Sequence, residues 1–428
     1  MSTTELSLAT VKSRRMLYLV FATLTLLVLG LIYAWSIFAS PLGTDFPAYQ
    51  GLFQQVFQVS MFAFCVSALF GAQLIKRTSA KLAIIVAAVL LGAGFVLTAV
   101  GAGWGVWTLF VFYSILAGSG CGIAYNAIIS LVNPWWPDRI GFASGVQMMG
   151  FGLASLIFGS LAEFLFGIIP WQAVFVLIAV VGMAVMVALA LVVKPAPANI
   201  DQILTGAASS AASGAPKASA TQQQGILTTK VFWLYCVWAT IVIACGLTLI
   251  GTAKQGAVAT GFDPGLSFLL VGLVSTLNGV GRVINGALFD RFGLVPVMVV
   301  GAVLAIVTMG GLALAFSTLL WPVYVVAGIL VAFPYSGVPV MASAYARQRY
   351  GAVGFAKNLG IANLNIASAA LLNIVIVALF GSITTTADAG DVTVYGLLAV
   401  LAVVALLFAL LFGKAYRTDL AKIQDELS

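Results

Sequence analysis

Twelve long apolar stretches, separated by short polar segments, dominate the pattern of this chain. Each is about 18 residues or longer, which is the length that an α-helix needs to cross the hydrocarbon core of a bilayer. Only helices and closed barrels satisfy their backbone hydrogen bonds in lipid, so we expect helices. The predicted spans are residues 16–38, 53–75, 82–101, 106–132, 142–168, 171–193, 231–256, 265–289, 294–316, 320–343, 359–381 and 392–413.

Lysine and arginine residues fall mainly on one side of the membrane in the predicted topology. They precede the first span, follow every even-numbered span and recur in the tail, whereas the opposite loops carry mainly acids: Asp45, Asp263, Asp388 and Asp391. Because cytoplasmic loops are enriched in Lys and Arg, we expect both termini in the cytoplasm, and a multi-pass protein of the bacterial inner membrane. The net charge of +7 then reflects topology rather than nucleic-acid binding.

The composition agrees with a polytopic membrane protein. Of 428 residues, 62% are hydrophobic and only 7% are charged, against roughly 25% charged residues in soluble domains. The chain has no histidine, which removes imidazole acid–base chemistry and imidazole metal ligation. We find neither a nucleophile with its base nor a set of metal ligands, so we expect no enzyme activity, no metal and no cofactor.

A polar segment divides the spans into two groups of six. Residues 194–230 are rich in Ala, Ser, Gly, Pro and Gln, which predicts a cytoplasmic linker. The expected fold is therefore all-α: six-helix bundles at residues 1–193 and 231–413, followed by a cytoplasmic tail at residues 414–428.

Short repeats suggest that the two bundles are related. Ala117-Gly118 in the fourth span precedes Tyr125 at the same offset at which Ala327-Gly328 in the tenth precedes Tyr335. Pseudo-symmetric six-helix repeats are known in transporters that bind substrate near the bilayer midplane, between the repeats.

Arg282 is the most informative residue, because it lies inside an otherwise apolar span. A guanidinium at the bilayer centre costs about 2.5–3.5 kcal/mol on insertion scales, so one that persists there normally faces a polar cavity and binds an anion. The alternative is an arginine that snorkels to the interface. Asp290 marks that interface eight residues later, about 12 Å along a helix, which is a long reach for snorkelling.

Several polar side chains are candidates for the same site. Asn278 shares a helix face with Arg282 and would bind substrate, orient the guanidinium or join helices. Tyr125 and Tyr335, from matching positions in the two halves, and Tyr33 in the first span would line the cavity or pack. Weaker candidates, which also suit helix contacts, are Asn126 and Asn363.

Three charged residues near the outer ends of spans are harder to assign. Glu163, late in the fifth span, and Asp263, before the eighth, are the candidates for proton coupling. Lys254, at the outer end of the seventh span, either attracts anions or faces water. Asp263-Pro264 also has the residue types of a helix start.

Two motifs resemble known families. The segment Gly286-Ala-Leu-Phe-Asp290-Arg291-Phe-Gly293 resembles the G-x-x-x-D-R-x-G signature of the major facilitator superfamily. The segments at residues 133–152 (NPWWPDRIGFASGVQMMGFG) and 33–41 (YAWSIFASP) resemble the monocarboxylate (lactate) transporters and the oxalate/formate antiporter branch.

These resemblances imply a transporter in which Arg282 binds a substrate carboxylate. The chain also departs from these families: Asn278 stands where lactate transporters have a proton-coupling aspartate, and Ile37 stands where they have a lysine. When residues 355–360 (FAKNLG) are aligned with the corresponding loop of the dicarboxylate antiporter, Ile366 falls where that antiporter has its second cation. One fixed cation suits a monoanion.

We therefore expect a monomeric transporter of a small monocarboxylate of the lactate or pyruvate type. The lactate-transporter resemblance implies proton symport. The alternative is an anion exchanger for oxalate, formate or another small dicarboxylate.

Overall fold

The computed structural model describes residues 8–137, 140–197, 199–205, 225–381 and 389–427. Over these residues the chain is helical and without strands, and it contains twelve helices long and apolar enough to cross a membrane. The predicted all-α class and the number of spans are confirmed. The helices are α1 (Leu8–Asp45), α2 (Pro47–Arg77), α3 (Ala80–Trp104), α4 (Leu109–Trp135), α5 (Phe142–Phe166), α6 (Trp171–Val192), α7 (Lys230–Ala259), α8 (Ser267–Phe292), α9 (Leu294–Thr318), α10 (Trp321–Ala362), α11 (Asn365–Phe380) and α12 (Ala389–Leu427).

Twelve crossings bring both chain ends to the same face of the protein, which we call the terminal face. Odd-numbered helices end at the other face, which we call the opposite face. The most extensive contacts between helices of the first six and helices of the last six lie along three seams: α1 with α7, α2 with α11 and α5 with α8.

The α5–α8 seam is tight because glycines line it. A Cβ atom placed on Gly152 would lie 3.1 Å from both the Gly279 Cα and the Ser275 carbonyl oxygen. Small residues let membrane helices approach closely, where dispersion contacts hold them together. The small-residue pattern of α5 therefore positions α8, and with it Arg282, against the first half of the chain.

Helix geometry is irregular in the first half. α1 tightens into a 3₁₀ turn at Gly30–Ala34, α4 contains a π-helical segment at Leu109–Ala117, and α5 contains one at Ser155–Gly159. Such segments inside α-helices often mark hinges or functional sites. Tyr33 lies in the first of them.

Three segments that we expected to be a loop, a linker and a tail are wholly or partly helical. The presumed loop at 355–360 is helical, since α10 continues to Ala362, and the expected tail after residue 413 continues α12 to Leu427. Polar residues end a membrane crossing but not a helix, so hydropathy alone underestimates both lengths. The linker region contains a short helix, Ile200–Thr205, whereas residues 206–224 lie outside the described residues.

Candidate functional site

Arg282 lies near the middle of α8, at a point where helices from both halves of the chain meet. Its side chain is half-buried. No hydrogen-bond partner among the described residues reaches its Nε and Nη1 atoms, both of which are buried. A buried donor without a partner is costly, and the cost is larger when the group is charged. The guanidinium is therefore poised to take an acceptor from a bound molecule.

Three phenols lie around this guanidinium. Arg282 interacts electrostatically with Tyr125 of α4, Tyr33 of α1 and Tyr335 of α10. The Tyr33 and Tyr335 hydroxyl oxygens are 3.0 Å apart and share a hydrogen bond, which connects the first and second halves of the chain beside the guanidinium. The structure thus brings together the arginine and all three tyrosines singled out from the sequence.

Aromatic rings and glycines shape the space around the phenols. The Phe151 ring lies edge-on to Tyr125 and Tyr33, with centroid distances of 5.2 Å and 5.4 Å. A side chain at Gly246 of α7 would run into the Tyr335 ring, and one at Gly30 would run into the Phe151 carbonyl. These glycines permit close helix approach, which fixes where the phenols point.

Asn278 faces the same region, one helical turn before Arg282. It is 1% exposed, and its Oδ1 accepts no hydrogen bond from any described residue. Asn278 and Arg282 therefore offer an unused acceptor and unused donors on one face of α8.

Asn285, which the sequence analysis did not single out, anchors α8 to α10. Its Nδ2 donates to the Gly281 carbonyl at 2.8 Å and lies within hydrogen-bond distance of the Phe333 carbonyl at 3.1 Å and the Ser336 Oγ at 3.2 Å. A lone asparagine in an apolar span gave no sign of which helix it would meet.

Asn126 and Asn363 have other surroundings. The Asn126 Nδ2 donates to the Ala68 carbonyl at 3.0 Å, which joins α4 to α2. Asn363 is exposed at the break between α10 and α11. Ile37 is fully buried, and Ile366 is partly buried against the apolar core. Apolar side chains thus occupy the two positions at which the resembling families have a cation.

The facilitator-like motif forms the end of α8 on the terminal face. Asp290 and Arg291 are exposed there, and the Arg291 guanidinium lies 5.2 Å from the Phe292 ring centroid. Gly293 has φ of 82°, a left-handed conformation that favours glycine, and its N–H donates to the Phe289 carbonyl at 2.8 Å. Gly286 has open space where a Cβ would lie. The motif thus makes a tight turn into α9.

A second polar site lies near the opposite face, close to the ends of α5 and α7. The Lys254 Nζ donates to both Glu163 carboxylate oxygens, at 2.6 Å and 2.7 Å. Both residues line a cavity of about 480 Å³. The sequence analysis treated the two residues separately, because they lie on different halves of the chain.

Asp263 is exposed between α7 and α8, and its Oδ1 accepts a hydrogen bond from the Leu266 N–H at 3.0 Å. The helix begins at Ser267, later than the Asp-Pro pair suggested. Asp263 therefore caps the turn that leads into α8.

The central site has the chemistry of an anion receptor. It offers a guanidinium fork and phenol hydroxyls, and Arg pairs readily with a carboxylate through two parallel hydrogen bonds. Among the described residues, no group of three or more His, Cys, Asp or Glu is placed to hold a metal ion.

Comparisons with known proteins agree with this architecture. Residues 16–372 match the family model described as Major Facilitator Superfamily. The chain is 26% identical over 350 residues to the MFS-type transporter YhjX of Escherichia coli (strain K12), covering 81% of this chain and 83% of that protein. It is 25% identical over 352 residues to the oxalate:formate antiporter of Oxalobacter formigenes, covering 79% and 80%.

Solved structures support the fold independently. The inward open conformation of the xylose transporter XylE from E. coli has a TM-score of 0.69 and 18% identity, covering 93% of this chain and 96% of that one. At that identity the likeness concerns the fold alone. From the family match, the fold and the twelve spans together, the chain belongs to the major facilitator superfamily.

Proposed function

We propose that the protein is a secondary active transporter of a small organic monocarboxylate of the lactate or pyruvate type, and that Arg282 binds the carboxylate. The observation that carries this proposal is the half-buried Arg282 side chain, whose buried Nε and Nη1 atoms have no partner among the described residues. A cation at that depth needs an anion, and a carboxylate matches the geometry of its fork.

The surroundings of Arg282 favour a monoanion. Asn278 adds a polar group, and Tyr33, Tyr125 and Tyr335 add hydroxyls that would bind the carboxylate or an α-substituent. Beyond them the wall is aromatic and apolar, with Phe64 and Phe151 packed on Tyr125. This wall suits a short hydrocarbon chain, and in the part of the chain that the structure describes it offers no second cation.

Transport would proceed by alternating access, with the six-helix bundles at residues 1–193 and 231–413 rocking about the central site. The three seams and the Tyr33–Tyr335 hydrogen bond are contacts that such rocking would break and remake. The single chain would act as a monomer in the bacterial inner membrane. Its terminal face, which carries the basic loops, would face the cytoplasm.

Proton symport is the coupling mode we propose. The chain has no histidine and has Asn278 where lactate transporters carry an acid, so the proton needs another carrier. Glu163 is partly exposed to the cavity near the opposite face and is the acid best placed for this role.

The test is uptake of labelled L-lactate into proteoliposomes under an imposed inward proton gradient, comparing wild type with Arg282→Gln. Arg417→Gln, which removes an exposed arginine of α12, is the matched control. We expect gradient-stimulated uptake in the wild type and the control, and its loss in Arg282→Gln. Absence of L-lactate and pyruvate uptake in the wild type would refute the substrate class.

The second candidate is exchange of oxalate and formate, which the similarity to the Oxalobacter formigenes antiporter favours. Ile366 argues against it, because a dianion would lack a second cation. The same vesicles distinguish the two: loading them with formate and measuring oxalate uptake without a proton gradient would give rapid exchange only under the second candidate.

A further inference from the structure

The Lys254–Glu163 pair has features that a purely structural ion pair does not need. Glu163 belongs to α5 and Lys254 to α7, so the pair joins the two halves of the chain. The lysine side chain is 8% exposed, whereas the glutamate is 26% exposed. The anionic partner is thus the accessible one, and the cation lies behind it.

The pair also borders a space large enough for a small solute. The cavity of about 480 Å³ is lined by small, apolar and amide side chains, and Lys254 and Glu163 are the only charged residues among those that line it. Gln255, also in the lining, donates through Nε2 to the Ser36 carbonyl of α1 at 3.0 Å, and its Oε1 has no described partner. Ser36 lies one helical turn after Tyr33, so α1 connects this cavity to the central site.

Other ionisable groups on the helices that pack against α5 are engaged or distant. On α1, Asp45 accepts a hydrogen bond from the Trp171 Nε1 at 2.6 Å. The described part of α6 contains no charged residue. On α8, Arg282 belongs to the central site, whereas Asp290 and Arg291 are exposed at the terminal face. Asp263, before α8, is exposed and accepts the capping hydrogen bond from the Leu266 N–H. Lys254 is therefore the cation that holds Glu163, and Glu163 is the acid that neutralises Lys254.

We propose that this pair is a carboxylate-exchange site, in which the substrate carboxylate replaces Glu163 as the partner of Lys254 when Glu163 takes up a proton. The proposal rests on the proposed function and adds to it a second binding site and the coupling step. The physical reason is that a buried ammonium must keep an anion beside it. Once Glu163 is neutral, an entering carboxylate is the group that meets this need.

The exchange balances in atoms and charge. One proton from water at the opposite face bonds to a Glu163 carboxylate oxygen, Lys254 keeps its three protons, and the substrate enters as an anion. The site has zero net charge before and after, and one proton accompanies each carboxylate. The substrate then moves on to Arg282. Once the bundles have rocked so that the site opens toward the terminal face, Glu163 releases its proton to water on that side and pairs with Lys254 again.

The experiment uses reconstituted full-length protein and labelled L-lactate in two modes: net uptake driven by an inward proton gradient, and counterflow with L-lactate on both sides and no gradient. Glu163→Gln is close in shape and cannot carry the proton. We expect it to retain counterflow within about twofold and to lose stimulation by the gradient. Asp425→Asn is the control, since it removes an exposed acid near the end of α12, away from the cavity; both modes should persist.

Lys254 is tested separately. Lys254→Gln should raise the KM for counterflow about tenfold or more, and Lys254→Arg should restore it by keeping the charge. Gradient stimulation that survives in Glu163→Gln, counterflow that disappears in that variant, or an unchanged KM in Lys254→Gln would each overturn the proposal.

The substrate assignment fails separately, through absence of L-lactate and pyruvate uptake in the wild type. Wild-type uptake of L-lactate with no response to the gradient would overturn the exchange site while leaving that assignment intact.

Discussion

The hydrogen bond between Tyr33 and Tyr335 gives a prediction whose magnitude follows from the structure. The bond joins α1 to α10 at 3.0 Å, and both residues are nearly fully buried, at 6% and 4% exposed. Removing one hydroxyl loses the bond and leaves the other hydroxyl buried without that partner, at a cost of about 1–3 kcal/mol. Because the bond joins the two halves, we expect its loss to destabilise the arrangement in which the halves touch at these tyrosines and to favour their separation.

The natural cysteine Cys65 provides the assay. Its side chain is 7% exposed, and it lies on α2 near both phenols. In a background where the other cysteines are replaced by alanine, the rate at which N-ethylmaleimide modifies Cys65 reports how often the halves separate. A cost of about 1–3 kcal/mol corresponds to labelling roughly 5–150 times faster in Tyr33→Phe and in Tyr335→Phe.

The double variant and a control complete the test. Tyr33→Phe/Tyr335→Phe removes the same single bond that each single variant removes. The increase in labelling rate in the double variant should therefore be smaller than the product of the increases in the two single variants. Tyr113→Phe removes a buried hydroxyl that has no described partner, and should leave the rate unchanged. Labelling that does not change in either single variant, or a strictly multiplicative double variant, would refute the reasoning.

Two further predictions concern helix packing and the terminal face. Gly152→Val should lower stability by about 1–3 kcal/mol and slow transport, because its Cβ would lie 3.1 Å from the Gly279 Cα. Gly145→Val, at a position with open space, should do neither; thermal unfolding in detergent and L-lactate counterflow measure both, and equal effects would contradict the packing argument. Arg349→Gln should lower stability by about 1–3 kcal/mol, since it breaks the 2.7 Å contact between the Arg349 Nε and the Asp419 Oδ2, which joins α10 to α12. Thermal unfolding tests this too, and a loss as large in Arg349→Lys would show that packing rather than charge matters.

The sequence predicts the membrane fold well for a physical reason. A crossing requires a long apolar stretch, and each stretch is visible locally, so the twelve spans were placed within a few residues of most observed helices. The extensions of α10 to Ala362 and of α12 to Leu427 were missed, because outside the bilayer a helix needs no apolar residues.

The candidate site was predictable only in part. Arg282 was evident as an isolated charge in an apolar span, and the repeat offset pointed to Tyr125 and Tyr335. The contact between Glu163 and Lys254 was not predictable, because it depends on how helices from different halves are rotated and placed against each other. No local pattern carries that information, and small-residue seams such as α5–α8 determine it.

The central claim is that Arg282 binds the carboxylate, and equilibrium binding tests it most directly. Binding of labelled L-lactate to purified protein, without vesicles or gradients, separates recognition from conformational cycling. Charge-assisted hydrogen bonds contribute about 1.5–3 kcal/mol, so Arg282→Gln should weaken binding roughly 10- to 150-fold, while Arg417→Gln binds as the wild type does. Equal affinity in Arg282→Gln and the wild type would contradict the account and place the carboxylate elsewhere.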